Sequence, residues 1–131
     1  AAEHGQAEDI RLEVADSRCV NSAGFFQFGE LLALYSVATA MLSNDSGPPH
    51  FASVTALKTF VIFGPETPAL YGSLGNSEPI YAGLGCSPCV SAGNHRKTSC
   101  TDNQCLRVIS ADQVTRRLSG FLNTIPSAPT A

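Results

Sequence analysis

Apolar positions along the chain change their spacing several times, and the changes mark the elements. Residues 1–8 look loose. Ile10, Leu12 and Val14 alternate with charged residues, which suits a strand edge or a frayed helix. Cys19-Val20-Asn21 reads as a short strand ending at Ser22-Ala23-Gly24, and Phe25, Phe26 and Phe28 crowd the loop after it. From Glu30 the period turns helical, with Leu31, Leu34, Tyr35 and Ala38 on one face. The apolar run at residues 38–42 is short and bounded, as a buried strand would be. The run at residues 51–57 follows Ser46, an N-cap residue, and a proline pair, and predicts a helix.

Residues 59–63 (Thr-Phe-Val-Ile-Phe) form the clearest strand, β-branched and aromatic throughout, stopped by Gly64-Pro65. Residues 68–75 suggest a turn of helix and a loop, and residues 79–82 another strand. Ser110 and Gln113 make a capping box that opens a last helix with Val114, Leu118 and Phe121 inward. Residues 126–131 read as a disordered tail. Strands alternating with helices imply an α/β fold, a Rossmann-like parallel sheet flanked by helices over residues 1–125.

Composition narrows the classes. The chain has 131 residues, enough for a single domain, with 44% apolar and only 15% charged residues. A net charge of −3 gives no electrostatic case for nucleic acid. No apolar run is long enough for a membrane span. The polar, acidic start does not resemble a signal peptide, so a cytoplasmic setting is expected, and the sequon Asn44-Asp45-Ser46 is discounted for that reason. Gly83-x-Gly85 lacks a third glycine, and no P-loop lysine pattern is present.

The candidate chemistry concentrates at Asn44-Asp45-Ser46-Gly47-Pro48-Pro49-His50. A strand-turn-helix junction lies where open α/β sheets hold anionic ligands, outside the carboxyl ends of the strands. The helix start offers unpaired N–H groups and the positive end of a dipole. Pro48 and Pro49 remove two such donors, which leaves the Ser46 amide and hydroxyl, the Gly47 amide and the His50 ring, one helical turn on. An ordinary capped helix with a surface histidine explains the same residues.

Four of the five cysteines fall in the loop at residues 86–105, spaced Cys86-x2-Cys89-x10-Cys100-x4-Cys105. They could hold a structural zinc ion, with His95 as a substitute ligand, form two disulfides, or remain thiols. Cys19 suits a buried apolar filler. His95-Arg96-Lys97 either touches an anionic ligand or is a solvated turn.

The stretch Ser43-Asn44-Asp45-Ser46-Gly47-Pro48-Pro49-His50-Phe51-Ala52, followed by Val61-Ile62-Phe63-Gly64-Pro65-Glu66-Thr67-Pro68, resembles the C-terminal half of glycosyltransferase family nine, the heptosyltransferase-like family that builds bacterial lipopolysaccharide. The hallmark is a strand ending in Asp-Thr/Ser-Gly, a helix starting near a His, then a strand ending in Phe-Gly-Pro. The cysteine-bearing loop before a last helix is similar to many members, and the likeness runs from about Cys19 to Phe121. It implies the donor-binding part of a GT-B enzyme, which carries two Rossmann-like domains around its active site and needs no metal for catalysis. By position, Asp45 would face the donor sugar hydroxyls, Ser46 and Gly47 would hold the diphosphate through their amides, and His50 would support the phosphate side. The backbone near Phe26, at the end of the preceding strand, would line the nucleobase pocket.

The chain also departs from that pattern. It is too short for both domains, so the N-terminal acceptor domain and its catalytic base are expected to be missing, and the family's donor-site lysine has no counterpart. With the strand order 3-2-1-4-5-6, the chain would start near strand three and lack strands one and two. The exposed edge would then be covered by a second copy, giving a homodimer, or by a rearranged order. The isolated chain would bind a nucleotide-sugar donor without turning it over. A non-enzymatic α/β binding or assembly module, or a small protein built around its cysteine cluster, are the alternatives.

Overall fold

The computed structural model describes residues 2–126. The tail expected at residues 126–131 falls outside it, apart from Pro126. The chain divides into two compact units, Ala1–Val37 and Ala38–Ala131. Among the described residues no helix is long and apolar enough to cross a membrane.

The first unit is helical. Helix α1 spans Ala2–Val14 and α2 spans Phe28–Val37. Both the loose start and the strand at Cys19-Val20-Asn21 are corrected here. Residues 2–14 are helix, and residues 19–21 are irregular backbone. Side-chain bonds explain the difference. Arg11 donates to Glu8 one turn back at 2.6 Å, and Asn21 donates its amide to the His4 carbonyl and the Glu8 carboxylate. An Asn that bonds to other segments' groups in this way competes with a strand ladder. The bonds from Arg11 and then Asn21 hold Glu8 far below the ordinary carboxylate range, at about 2. Ile10, Leu12 and Val14 stay exposed, so their alternation does not report a buried face.

The second unit is the α/β part. Strands β1 (Ala40–Asn44), β2 (Lys58–Phe63) and β3 (Ser77–Tyr81) form one parallel sheet in sequence order, with helix α3 (Gly47–Ala52) between the first two and α4 (Pro68–Tyr71) between the last two. Two short connections follow β3, and then α5 (Gln104–Arg107) and α6 (Ala111–Leu122) end the unit. The order is sequential and not rearranged. The three strands sit side by side with no gap between them.

Strand β2 is the core. Thr59, Phe60, Val61 and Phe63 are all buried, so both of its faces are covered, as a central strand of a parallel sheet requires. Phe121 of α6 meets Phe60 edge to face at 5.9 Å. The run at residues 38–42 differs from expectation. The strand starts at Ala40, and Leu42 is 45% exposed, because β1 pairs with β2 alone among the described residues. Pro79 is tolerated in β3 for the same positional reason, since among the described residues β3 pairs only with β2 and has an edge that needs no donor. The last helix begins as predicted, with Ser110 Oγ accepting from the Gln113 amide at 3.2 Å.

Candidate functional site

The carboxyl ends of β1 and β2 open onto a cleft of about 290 Å³. Its polar lining is Asn44, Asp45, Glu66 and Arg96, and its apolar walls are Ile62, Pro65, Val90 and Leu106. Asp45 stands where β1 stops. Its amide still donates to the Ile62 carbonyl at 3.1 Å, so the ladder fixes its backbone while its side chain is released into the cleft. Glu66 occupies the matching place after β2, beyond Gly64-Pro65, and is only 8% exposed.

The wall after β2 is tied down by hydrogen bonds. Ser87 Oγ donates to the Gly64 carbonyl at 2.8 Å and accepts from the Tyr81 hydroxyl at 3.0 Å. The Cys89 and Val90 amides both donate to the Pro65 carbonyl. A Cβ added at Gly64 would lie 2.8 Å from the Leu106 Cγ, so the Leu106 side chain would have to shift to admit one. The loop at residues 91–96 is compact as well. Ser91 and Asn94 cap each other around a turn of 3-10 helix, and Asn94 donates to the Cys89 carbonyl at 2.9 Å. Thus the strand ends, the loop after β3 and helix α5 converge on one hollow.

The electrostatics are those of a crowded acid pair. Burial, and then the neighbouring Glu66 carboxyl, which also shares a hydrogen bond with it, push Asp45 above the ordinary carboxylate range. His50 and Arg96 act in the opposite sense and pull it partly back. Arg96 Nη1 lies 3.3 Å from Glu66 Oε1. The hollow therefore holds one carboxyl group, Asp45, that keeps its proton beyond the ordinary range beside a second carboxyl, with one guanidinium near them.

The expected site residues separate under this geometry. Asp45 is in the cleft. Ser46 occupies the N-cap position of α3 but its hydroxyl makes no cap bond and instead donates to Asn44 Oδ1 at 2.8 Å. The reason is covalent: an N-cap oxygen accepts from the second or third helical N–H, and here those residues are Pro48 and Pro49. Gly47 opens the helix, exposed, and His50 is exposed one turn on; none of Ser46, Gly47 and His50 lines the cleft. Phe26 belongs to the first unit, in the turn before α2, and no strand precedes it among the described residues. Glu66 is the residue that sequence reasoning passed over, although it follows a strand end just as Asp45 does. Arg96, singled out with His95 and Lys97, does reach the cleft.

The cysteine loop does not gather. All five cysteines are free thiols, with Cys86 and Cys100 exposed, Cys89 half-buried and Cys105 buried. Burial, and then nearby Cys89 and Cys100, push the Cys105 thiol up. Among the described residues no three His, Cys, Asp or Glu side chains converge as a group that could hold a metal ion. Cys19 is only half-buried. A second hollow, in the first unit beside Ala7 and Ile10, has Arg11 as its cation, and Arg11 is already bonded to Glu8.

Comparison with known proteins bears on this arrangement. The model of glycosyltransferase family 9 (heptosyltransferase) matches residues 1–99. No curated protein matches the chain. Among solved structures, the ADP-heptose LPS heptosyltransferase II of E. coli is similar over 95% of this chain, at 22% identity and a TM-score of 0.70. That likeness establishes a shared fold. It covers 34% of the E. coli chain, so the present chain spans about a third of that protein's length.

Proposed function

The chain belongs to glycosyltransferase family 9, and on that premise we propose that its cleft binds the sugar-nucleotide donor of a glycosyl transfer whose acceptor is a lipopolysaccharide-type glycan. The observation that carries the reading is the position of Asp45. It sits half-buried in a hollow outside the carboxyl ends of two parallel strands, where α/β sheets of this kind take nucleotide ligands. Its carboxyl group accepts hydrogen bonds from sugar hydroxyls when ionised. Asn44 and Glu66 add further polar partners, and the apolar walls of Ile62, Pro65, Val90 and Leu106 suit a flat ring. In this proposal Ser46 and Gly47 contribute main-chain amides near the phosphates, and His50 supports that side from one turn on. Catalysis needs a second domain for the acceptor.

A non-enzymatic α/β binding or assembly module is the second reading. What favours it is the proline pair, which strips the start of α3 of the donors a diphosphate would use. Thermal melting with UDP-, GDP- and ADP-linked sugars separates the two. A rise in melting temperature with one of them, lost in Asp45→Ala, is expected. A folded protein indifferent to all three would leave the second reading standing.

A further inference from the structure

The loop at residues 91–96 makes an unusual effort to aim one side chain. His95 and Arg96 follow one another with φ of 53° and 56°, two non-glycine residues in the left-handed region, which such residues rarely adopt. Strain of that kind persists where the surroundings over-determine it. Here the surroundings are identifiable. The Arg96 amide donates to the Ser91 carbonyl at 2.9 Å, the Ala92 amide donates to the Tyr71 hydroxyl at 3.1 Å, and the Arg96 guanidinium lies 5.2 Å from the centre of the Tyr71 ring. Its Nη1 pairs with Glu66, whose side chain is itself only 11% exposed.

A guanidinium fixed on one edge by a carboxylate and on one face by an aromatic ring still has a second edge. Among the described residues no hydrogen bond takes Arg96 Nε or Nη2, and the side chain remains 63% exposed beside the cleft. A planar fork of donors, pre-oriented and partly desolvated, is suited to the paired oxygens of a phosphate. The helix start offers less than usual, since Pro48 and Pro49 bring no N–H there and only the Ser46 and Gly47 amides remain.

We propose that Arg96 is the oxyanion-binding residue of this cleft, held by Glu66 and Tyr71 so that its free edge takes the diphosphate of the donor. The proposal rests on the donor-binding reading above and deepens it. A side chain carried by a loop after β3 thus makes up for the main-chain donors that the proline pair removes. Glu66 is then a positioning residue for Arg96, and Asp45 is left to the sugar.

The test compares wild type, Arg96→Ala and Arg96→Lys by titration calorimetry against three probes: nucleotide-linked sugars, the matching free nucleosides, and inorganic pyrophosphate. Both variants should lose tenfold or more in affinity for the nucleotide sugar and for pyrophosphate, and keep nucleoside binding unchanged. Lysine is expected to fail because it supplies charge without a fork. Glu66→Gln should weaken pyrophosphate binding in wild type and do nothing further in Arg96→Ala. An equal loss for nucleoside and nucleotide sugar would mean that Arg96 merely holds the loop, and unchanged affinities would mean it does not touch the ligand; either overturns the proposal. If folded wild type binds pyrophosphate through Arg96 but no nucleotide sugar, the donor reading fails while the oxyanion site survives. If it binds neither, both fail.

Discussion

Asp45 and Glu66 show how one pair of side chains sets a local pH dependence. A carboxyl raised by burial and by a like-charged neighbour keeps its proton in the folded state after the unfolded chain has released it. Between the ordinary carboxylate value and the raised one, the folded state therefore holds more protons, and stability falls as pH rises through that window. Asp45→Asn has no proton to lose. Its stability relative to wild type should climb as pH passes through that window, in urea denaturation series run on both proteins. A difference that stays flat across the window would show that the folded state does not hold the Asp45 proton.

At the scale of elements, two serines occupy N-cap positions and do different things. Ser110 accepts from the Gln113 amide and caps α6. Ser46 faces two prolines and turns back to Asn44. Ser110→Ala should cost about 1 kcal/mol, whereas Ser46→Ala should stay within about 0.5 kcal/mol; denaturant midpoints for the two variants check this. Equal losses would mean that the Ser46 hydroxyl contributes to α3 after all. The contrast also marks what the sequence made legible. β2 could be read from Thr59 to Phe63 because burial on both faces leaves an unbroken apolar run, and α6 from its cap. β1 was misjudged as buried because residues 38–42 look alike whether a strand has one neighbour or two. Helix α1 was legible only as one alternative for residues 10–14, a frayed helix beside a strand edge, because it is held by Glu8, Arg11 and Asn21, pairings that no periodicity displays. Within the site, Asp45 was visible through its motif. Glu66 was not, because its meaning depends on the fold bringing two strand ends together.

Across the second unit, Glu78 of β3 joins elements far apart in sequence. It pairs with Lys58 of β2 at 3.1 Å and with Arg117 of α6 at 2.9 Å. Burial works against its charge, but the bonds from Lys58 and Arg117 outweigh it and hold the group below the ordinary carboxylate range. A depressed carboxyl stabilises above its unfolded value and loses that contribution as pH falls through the folded one. Glu78→Gln should therefore cost about 1 kcal/mol near neutral pH, with the gap to wild type closing in acid, as denaturation at both pH values would reveal. A gap that persists in acid would point to lost packing and not to charge.

The sheet's uniform direction has one more result. Since β1, β2 and β3 all run the same way, the segments that leave them gather at one rim, and the returns that enter them gather at the other. The first rim carries Asp45 and Glu66, together with the bonds from Ser87, Cys89 and Val90 that fix the wall beside them. Exchange of side chains along that margin can thus alter what the hollow selects, whereas a side chain larger than glycine at position 64 would also displace Leu106 from its wall.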